Sequence, residues 1–201
     1  MDKLLFMLVL LFGGCGYLVL FYMYISGNRK KSTSNGYDIV FKLLEDENNT
    51  KIVEGASLFI SEYDVGRDAI RLSTRSYNNK DNFTLFTSSL LAGFALCKNS
   101  SFVNIMKRVF RKYRFLSFSP ILILLVNVIF GYGDSTLGIL ITLVILFYQY
   151  LFFNYLNEAS LKVEGKVSIN VKKLLNTNIR VNILFMMSSI LLLIKFIWMM
   201  L

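Results

Sequence analysis

The uncharged run LLFMLVLLFGGCGYLVLFYMYI occupies Leu4–Ile25. A helix needs about 20 mostly apolar residues to cross the hydrocarbon core of a bilayer, and this run has that length without a single charge. A cleavable signal peptide has a shorter apolar region, of about 7–15 residues, with a small-residue cleavage site after it. Here the apolar run continues past that length and no such site follows it. The run therefore predicts a transmembrane anchor over residues 1–25 rather than a removable leader.

Three further runs have the same apolar character. They are Phe115–Phe130, Thr136–Phe153 and Ile183–Leu201. The first two are joined only by the turn-like segment Gly131–Ser135, which predicts a transmembrane hairpin over residues 115–153. The last predicts a C-terminal span over residues 183–201, interrupted only by Lys195, whose long side chain we expect to extend to the membrane surface. The predicted fold class is a mainly α, polytopic helical membrane protein with four spans.

The composition agrees with a membrane protein. Hydrophobic residues make up 55% of the 201 residues, charged residues make up 17%, and the mean hydropathy is +0.54. A soluble domain has roughly 45–50% apolar and about 25% charged residues. The absence of histidine removes imidazole as a general base, proton carrier or metal ligand. The two cysteines, Cys15 and Cys97, are too few for a disulfide scaffold or a four-thiolate zinc site.

The distribution of charge predicts the orientation, because Lys and Arg are retained on the cytoplasmic side. Residues 26–114 contain fifteen Lys and Arg against nine Asp and Glu, and residues 154–182 contain five against two. The hairpin turn contains Asp134 and no cation. We therefore expect residues 26–114 and, as a loop, residues 154–182 in the cytoplasm. The turn and both termini would lie outside a bacterial cytoplasmic membrane.

A dense basic stretch, KRVFRKYR, precedes the second predicted span. Its cations are Lys107, Arg108, Arg111, Lys112 and Arg114, and apolar and aromatic side chains lie between them. Beside a membrane, such an amphipathic stretch is expected to contact anionic lipid headgroups. Nucleic-acid binding can use the same residue types, but the position next to a span favours lipid. We predict no nucleic-acid partner.

The segment between the first two predicted spans has the pattern of a small α+β domain. A polar, turn-rich linker over Gly27–Gly36 precedes Tyr37–Glu47, where apolar residues of 3.6-residue period predict a short helix. Short apolar runs separated by turn residues predict a meander of two or three strands. The runs are Lys51–Val53, Ser57–Ile60 and Ala69–Leu72. Asn82–Leu96 is uncharged but shorter than the roughly 20 residues that a transmembrane helix needs, so we expect a buried or membrane-surface helix.

Two motifs in this segment carry a family resemblance. The first is EYDVGRDAIRLS over Glu62–Ser73, followed by Tyr77, and the second is GYDIVFKLL over Gly36–Leu44. The first resembles a segment like HYDPxxKxxRLSxxxY that precedes the zinc-binding helix of the YugP-type neutral zinc metallopeptidases, a membrane-anchored family of the HExxH zincin group. The second is similar to the first cytosolic helix of that family. The resemblance extends over about residues 1–165 and implies a zincin-like insert within residues 26–114.

The zinc motif is where the chain departs from that family. At the family's spacing from the preceding motif, HExGHA falls on LLAGFA at residues 90–95. Leu90 and Phe94 stand where the family has its two histidine ligands, and Leu91 stands at the catalytic glutamate, whereas Gly93 matches. Leucine and phenylalanine have no lone pair for zinc, and no glutamate is left to activate a zinc-bound water.

The third zinc ligand of the family, a glutamate, falls at Leu156. Glu158 is the nearest acid, but it would point elsewhere on a helix. The resemblance therefore implies a degenerate member with no zinc, no other cofactor and no zinc-dependent hydrolysis. The acidic knot of Glu62, Asp64 and Asp68 offers oxygen ligands for a divalent cation, but a solvated turn is the favoured interpretation.

We therefore expect a catalytically inactive metallopeptidase homologue that regulates or scaffolds another membrane protein through direct contact. The expected partners are membrane lipids and an active paralogue, a membrane protease or a second copy of the chain. Three glycines of the first span, Gly13, Gly14 and Gly16, are the predicted helix-packing positions. The alternative is a small transporter or channel component, although Asn127 and Gln149 are almost the only polar residues in the spans. An active peptidase with unrecognised chemistry is the least favoured hypothesis.

Overall fold

A computed structural model of the chain describes residues 2–29, 31–45, 50–55, 61–64, 67–97 and 135–200. The predicted second span, the basic stretch at residues 107–114 and the turn at Asp134 lie outside these residues. The helices and strands are α1 (Asp2–Arg29), α2 (Gly36–Leu43), β1 (Lys51–Gly55), β2 (Glu62–Asp64), β3 (Ala69–Ser73), α3 (Thr74–Asn78), α4 (Asn82–Leu96), α5 (Ser135–Glu164) and α6 (Ile169–Met200).

Three of the described helices are long and apolar enough to cross a membrane, namely α1, α5 and α6. Their most apolar windows have mean hydropathies of 2.5, 2.1 and 2.2. The helix α4 is also apolar, but its 15 residues fall short of the roughly 20 that a span needs. The prediction of a mainly helical chain with membrane-crossing segments is confirmed for these three helices by their length and composition.

The helices α5 and α6 extend well beyond the apolar runs that predict them. α5 ends at Glu164 and α6 begins at Ile169, so residues 154–182 are helical except for a short turn and do not form the predicted loop. The segment has no proline and a single glycine, Gly165, which lies in that turn. Lys172 forms an ion pair with Glu164 across the turn, at 2.6 Å. Hydropathy and charge counts do not separate a polar helix from a loop.

The three strands form one sheet in the order β1-β3-β2. β3 pairs in parallel with β1 and antiparallel with β2, so the predicted meander, in which consecutive strands pair, is wrong. β3 is the central strand, and its residues Ile70 and Leu72 are completely buried. The predicted strand Ser57–Ile60 lies outside the described residues. The strand β2 and the short helix α3 were not predicted from the sequence.

Side-chain caps determine where α2 and α4 begin. Asn35 accepts a hydrogen bond from the main-chain N–H of Asp38 at 2.8 Å, and its own N–H donates to the Asp38 carboxylate at 3.2 Å. Asp81 accepts from the main-chain N–H and the hydroxyl of Thr84, at 2.7 and 3.0 Å. Each cap satisfies N–H groups that have no partner within the helix.

The described residues form two compact units. The first contains residues 2–20, 135–153 and 180–200, and the second contains the described residues between 21 and 97 together with residues 154–179. In the first unit, parts of α1, α5 and α6 pack around Val9, Leu192 and Phe196. In the second unit, α2 and α4 pack against the sheet. The second unit contains the positions that the sequence resemblance aligns with the zinc-binding residues.

Candidate functional site

The residues that align with the family's zinc-binding helix form part of α4. This helix starts after the Asp81 cap and carries no charge. Leu91 and Phe94 are buried, and Leu90 is partly exposed. Small and polar residues of the helix are buried as well, so α4 is buried around most of its circumference. It is therefore a core helix of the second unit rather than a surface helix with one apolar face.

The helix α4 lies directly against the second half of α5. A Cβ atom built on Gly93 would overlap the main-chain carbonyl of Ala159 and would lie 3.2 Å from the Ala159 Cβ. Only glycine permits this close approach. Gly93 is a position at which the chain matches the resembled zinc motif, and Ala159 lies three residues after Leu156, the position aligned with the third ligand. The structure therefore brings together the two segments that the sequence resemblance assigns to the zinc-binding helix and the third-ligand helix.

A second contact lies one residue further along α4 and four residues earlier along α5. The rings of Phe94 and Tyr155 stack with 4.6 Å between their centroids and 23° between their planes. The Tyr155 hydroxyl donates a buried hydrogen bond of 3.1 Å to the main-chain carbonyl of Phe94. Leu156, at the aligned position of the third ligand, is completely buried. Aromatic and aliphatic packing thus surrounds the positions that the sequence resemblance aligns with zinc ligands.

Cys97 lies at the C-terminal end of α4 and contacts α5. Its thiol is buried, and the negative charge of the Glu158 side chain acts on it. Burial first, and then the negative charge of Glu158, raises the pKa of the Cys97 thiol to about 12. The thiol is therefore protonated at physiological pH and is a poor nucleophile. Glu158, the acid nearest in sequence to the third-ligand position, is engaged with this thiol.

The aligned ligand positions of the α4–α5 contact offer no chemistry for metal binding. Its side chains at the aligned ligand positions are hydrocarbon, which cannot donate an electron pair. Within the described parts of the chain, no group of three or more His, Cys, Asp or Glu side chains is placed to hold a metal ion. What the arrangement can do is fix two helices against each other and keep one thiol protonated.

The acidic knot is held by hydrogen bonds and ion pairs within the chain. Arg71 of β3 contacts Glu62 at 3.7 Å and Asp64 at 3.2 Å, both on the neighbouring strand β2. Asp68 accepts a hydrogen bond of 2.9 Å from the hydroxyl of Tyr63. These residues belong to the motif that resembles the metallopeptidases, and their role here is to join β2 to β3 and to fix the turn between them.

The predicted helix-packing glycines have different surroundings. A Cβ on Gly16 would lie 2.7 Å from the ring of Phe185 of α6. The absence of a side chain at Gly16 therefore lets this ring pack directly against α1 within the first unit. Gly13 is buried, whereas a Cβ on Gly14 would meet nothing within 4 Å. Of these three positions, Gly16 is the one that forms a close interhelical contact among the described residues.

Lys195 does not extend outward as the sequence suggests. It is only 8% exposed, and its ammonium group lies 5.9 Å from the centre of the Phe6 ring. Attraction between a cation and an aromatic ring, together with packing of the aliphatic stem, favours this buried position.

Comparison with known protein families, with curated proteins and with solved structures found no match to this chain. Its own fold defines a class: a mainly helical protein with three helices able to cross a membrane and a small three-stranded sheet.

The contacts of α5 were the part of the site that the sequence analysis missed. The apolar run ends at Phe153, but a series of buried residues that starts at Leu151 continues beyond it at a spacing of four. They are Leu151, Tyr155, Ala159 and Val163. This spacing is typical of one helix face packed against a core. The continuous stripe is the signal that identifies Tyr155 and Ala159 as contact residues.

Proposed function

We propose that this chain is a catalytically inactive, membrane-anchored relative of the YugP-type zinc metallopeptidases that acts through protein–protein contact. The observation that carries the proposal is the contact between Gly93 of α4 and Ala159 of α5. In an active relative, the two corresponding helices would supply ligands to one zinc ion. Here the helices approach so closely that Gly93 cannot accept even a methyl group.

The strands before α4 support the same proposal. In the family, the segment that resembles EYDVGRDAIRLS lies directly ahead of the zinc-binding helix. Here Tyr63, Asp64 and Arg71 of that segment lie on β2 and β3 and interact across the sheet, and α4 follows after the short helix α3. The order of the elements agrees with the resemblance and supports a zincin-like insert within residues 26–114.

Apolar packing gives a physical reason why such a protein can fold without metal. Full burial of a phenylalanine side chain contributes about 1.5–3 kcal/mol relative to leaving it exposed. Phe94 is almost completely buried, and its ring also stacks on Tyr155. In this proposal, hydrophobic packing stabilises the α4–α5 contact in place of zinc coordination. The retained scaffold then has a use other than hydrolysis, which is contact with another membrane protein.

The proposal also includes a four-span topology in a bacterial cytoplasmic membrane. It adds Phe115–Phe130 to the three helices able to cross and places residues 26–114 and 154–182 in the cytoplasm. The excess of Lys and Arg in these two segments supports that orientation.

Restoration of the lost ligands tests the structural part of the proposal. A variant with Leu90→His, Phe94→His and Leu156→Glu should bind close to one equivalent of zinc, whereas the wild-type chain should bind none, as measured by metal analysis of purified protein. The matched control carries Leu91→His, Ala95→His and Asn157→Glu, which moves each ligand by one residue and so off the shared helix face. Equal zinc in the variant and the control, or zinc in the wild-type chain, would contradict the proposal.

Isolation of the chain with its partners tests the functional part. Tagged protein purified in mild detergent should contain no stoichiometric metal and should retain a membrane protease, a paralogue or a second copy of itself at fixed ratio. Substitutions that disturb α4, such as Phe94→Ala, should reduce the retained partner. A monomeric chain with no partner after gentle crosslinking in the membrane would count against a role through contact.

One observation favours the alternative of a small transporter or channel component. Gln149 of α5 is buried, and among the residues that the structure describes neither its amide nitrogen nor its amide oxygen has a hydrogen-bond partner. A buried amide without a partner in a membrane-crossing helix is costly unless water reaches it. Flux of ions or small solutes into liposomes that contain the purified chain distinguishes this function from the first. The Gln149→Leu variant is the control.

A further inference from the structure

Arg75 of the short helix α3 lies against the last two turns of α1. Its guanidinium donates hydrogen bonds to the Tyr24 hydroxyl at 3.3 Å and to the Asn28 side-chain oxygen at 3.4 Å. Its central carbon lies 6.0 Å from the centre of the Tyr24 ring. A guanidinium has five N–H groups, and the bonds within the described part of the chain use two of them. Arg75 follows Asn28 by 47 positions, so the fold rather than the local sequence brings this cation to the end of α1.

Packing between α1 and α4 fixes the position of Arg75. The rings of Tyr24 and Phe83 meet edge to face, with 5.2 Å between their centroids. A Cβ on Gly27 would lie 2.8 Å from the Cβ of Phe83, so the absence of a side chain at Gly27 lets α4 begin directly against α1. Residues 79–81 alone separate α3 from α4. The contacts of Phe83 therefore also hold Arg75 at a fixed distance from the end of α1.

The sequence of α1 places this end of the helix at the membrane surface. The uncharged run Leu4–Ile25 forms a helix about 33 Å long, and the hydrocarbon core of a bilayer is about 30 Å thick. Tyr22 and Tyr24 are 69% and 42% exposed, and exposed tyrosines are typical of the boundary between membrane and water. Asn28 lies about 5 Å beyond Ile25 along the helix axis. Arg75, which contacts Asn28, is thus at the depth of the lipid headgroups.

Three more cations of the described chain lie at this end of α1. Arg29 is the last residue of the helix. Lys31 and Lys80 belong to two segments that lie side by side, because the Ser32 N–H donates a hydrogen bond of 2.6 Å to the Lys80 carbonyl. The side chains of Arg29, Lys31 and Lys80 are all exposed. Together with Arg75 they form a basic cluster, which we call the α1 headgroup site.

The acidic side chains next to this cluster have partners of their own. Asp81 is opposite Lys31 in the same pairing of segments, but it is only 7% exposed and accepts hydrogen bonds from Thr84 and Asn79. Asp38 accepts a hydrogen bond from the main chain at the start of α2. Within residues 24–38 and 74–84, the described side chains comprise four cations and two carboxylates. This end of α1 therefore attracts anions.

We propose that the α1 headgroup site binds the headgroup of an anionic phospholipid. The N–H groups of Arg75 that Tyr24 and Asn28 do not engage donate to the phosphate oxygens, because the planar guanidinium matches the geometry of a phosphate. Tyr24 and Asn28 hold the guanidinium in place. The exposed cations Arg29, Lys31 and Lys80 add electrostatic attraction to a negatively charged membrane surface.

A lipid fits this site better than a soluble anion does. The site lies at headgroup depth, and Phe21 and Tyr22 of the preceding turn are 63% and 69% exposed, which provides surface for acyl chains. The α1 headgroup site is also separate from the contiguous basic stretch at residues 107–114. It contains no position aligned with a zinc ligand, so it goes beyond the proposed function and does not depend on the metallopeptidase resemblance. It rests on α1 crossing the membrane.

Fluorescence quenching by brominated lipids tests the proposal. Phe21→Trp places a reporter on α1 three residues before Tyr24, in a chain whose single natural tryptophan is removed by Trp198→Phe. The full-length chain is reconstituted at neutral pH and low salt in mixtures of phosphatidylcholine and phosphatidylglycerol, one of which is brominated. The quenching gives the ratio of the two lipid binding constants. We expect this ratio to favour phosphatidylglycerol about fivefold.

Variants of the reporter chain show which residues are responsible. Arg75→Gln should bring the ratio close to one. Arg67→Gln is the matched control: it removes the same charge from an exposed position before β3, whereas Arg75 follows β3, and it should leave the ratio unchanged. Tyr24→Phe keeps every charge but removes a hydroxyl that holds Arg75, so it should lower the ratio in part. The double variant Lys31→Gln, Lys80→Gln changes only exposed side chains and should lower the ratio as well.

Several results would overturn the proposal. Equal quenching by the two lipids in the reporter chain is one. Another is an equal loss of preference in Arg75→Gln and Arg67→Gln, because net charge alone would then determine the ratio. Loss of the preference when excess glycerol phosphate is added at constant ionic strength would assign the site to a soluble phosphate compound. If Arg75→Gln is unfolded by circular dichroism, Tyr24→Phe and the double lysine variant decide, and an unchanged ratio in both overturns the proposal.

Discussion

Tyr155 contacts both the main chain and the side chain of Phe94. Its hydroxyl donates to the Phe94 carbonyl at 3.1 Å, and its ring stacks on the Phe94 ring with 4.6 Å between the centroids. Both residues are buried. The hydrogen bond and the stacked rings together fix the rotation of α5 relative to α4, because neither survives if one helix turns about its axis.

The Tyr155→Phe variant should lower the stability of the second unit. It keeps the ring and its stacking but removes the hydroxyl, so the loss is that of one buried hydrogen bond, about 1 kcal/mol. The carbonyl of Phe94 still accepts from the N–H of Cys97 at 3.3 Å, which limits the loss. Thermal unfolding of the purified protein in detergent measures the effect. Tyr150→Phe, at an exposed position of the same helix, should change the melting temperature little.

The Gly93→Ala variant should be more destabilising than a surface substitution. The added methyl group overlaps the carbonyl of Ala159, so the helices must separate, and such overpacking typically costs about 1–3 kcal/mol. Gly14→Ala is the matched control, because a Cβ there meets nothing within 4 Å and alanine favours the helix. If Gly93→Ala melts at the same temperature as the wild-type chain, the close α4–α5 contact is not formed.

The boundaries of α4 could be predicted from its sequence because local signals agree there. Asp81 is a strong N-cap residue, the following residues carry no charge, and the observed helix Asn82–Leu96 has the predicted bounds. The apolar runs likewise predict α1, α5 and α6. The role of Gly93 could be anticipated only as a motif match, since close packing with Ala159 depends on a partner 66 positions further along the chain.

The sheet order and the length of α5 could not be predicted in the same way. A local alternation of apolar residues does not say which strands pair, and the parallel pairing of β1 with β3 is a long-range choice. In α5, the polar residues after Phe153 ended the hydropathy signal although the buried stripe continued through Tyr155. The polar segment 154–182 predicts a loop, whereas most of it is helical and the Glu158 charge acts on the buried Cys97 thiol.

The thiol of Cys97 should resist alkylation in the folded protein. With its pKa raised from 9.0 to about 12, it holds its proton at pH 8, and thiolate is the reactive form. Iodoacetamide labelling followed by peptide mass spectrometry should show modification only after denaturation. Glu158→Gln removes the negative charge and should speed the labelling, whereas Glu164→Gln, on the same helix but paired with Lys172, should not. Fast labelling of the wild-type protein at pH 8 would contradict the buried position.

The same thiol should make the stability of the folded protein decrease with pH in the alkaline range. Below pH 9.0 the thiol is protonated in both the folded and the unfolded chain, so its contribution to stability is fully present. Between pH 9.0 and about 12 the unfolded chain releases the proton first, so the folded state loses this contribution as pH rises. The melting temperatures of the wild-type chain and of Cys97→Ala are measured from pH 8 to 11. The wild-type value minus the Cys97→Ala value should fall as pH rises, because only the wild-type chain has the thiol. Parallel curves would exclude a raised pKa.

The Asp81→Ala variant should weaken the start of α4. Asp81 accepts hydrogen bonds from the N–H and the hydroxyl of Thr84, and loss of an N-cap typically costs about 0.5–2 kcal/mol. Asp81→Asn keeps an accepting oxygen and should lose less than Asp81→Ala, as measured by thermal unfolding. Equal losses in both variants would mean that charge rather than the cap determines the contribution.

The turn between α5 and α6 should face the cytoplasm. It lies within the segment that contains five Lys and Arg against two Asp and Glu, and cations next to membrane-crossing helices are retained on that side. A green fluorescent protein inserted at Gly165 should fluoresce, and alkaline phosphatase inserted there should be inactive, because it folds only outside the cytoplasm. A fusion after Leu201 should give the opposite pair of results. Active phosphatase at Gly165 would reverse the orientation and would place the α4–α5 contact on the outer side, away from any cytoplasmic partner.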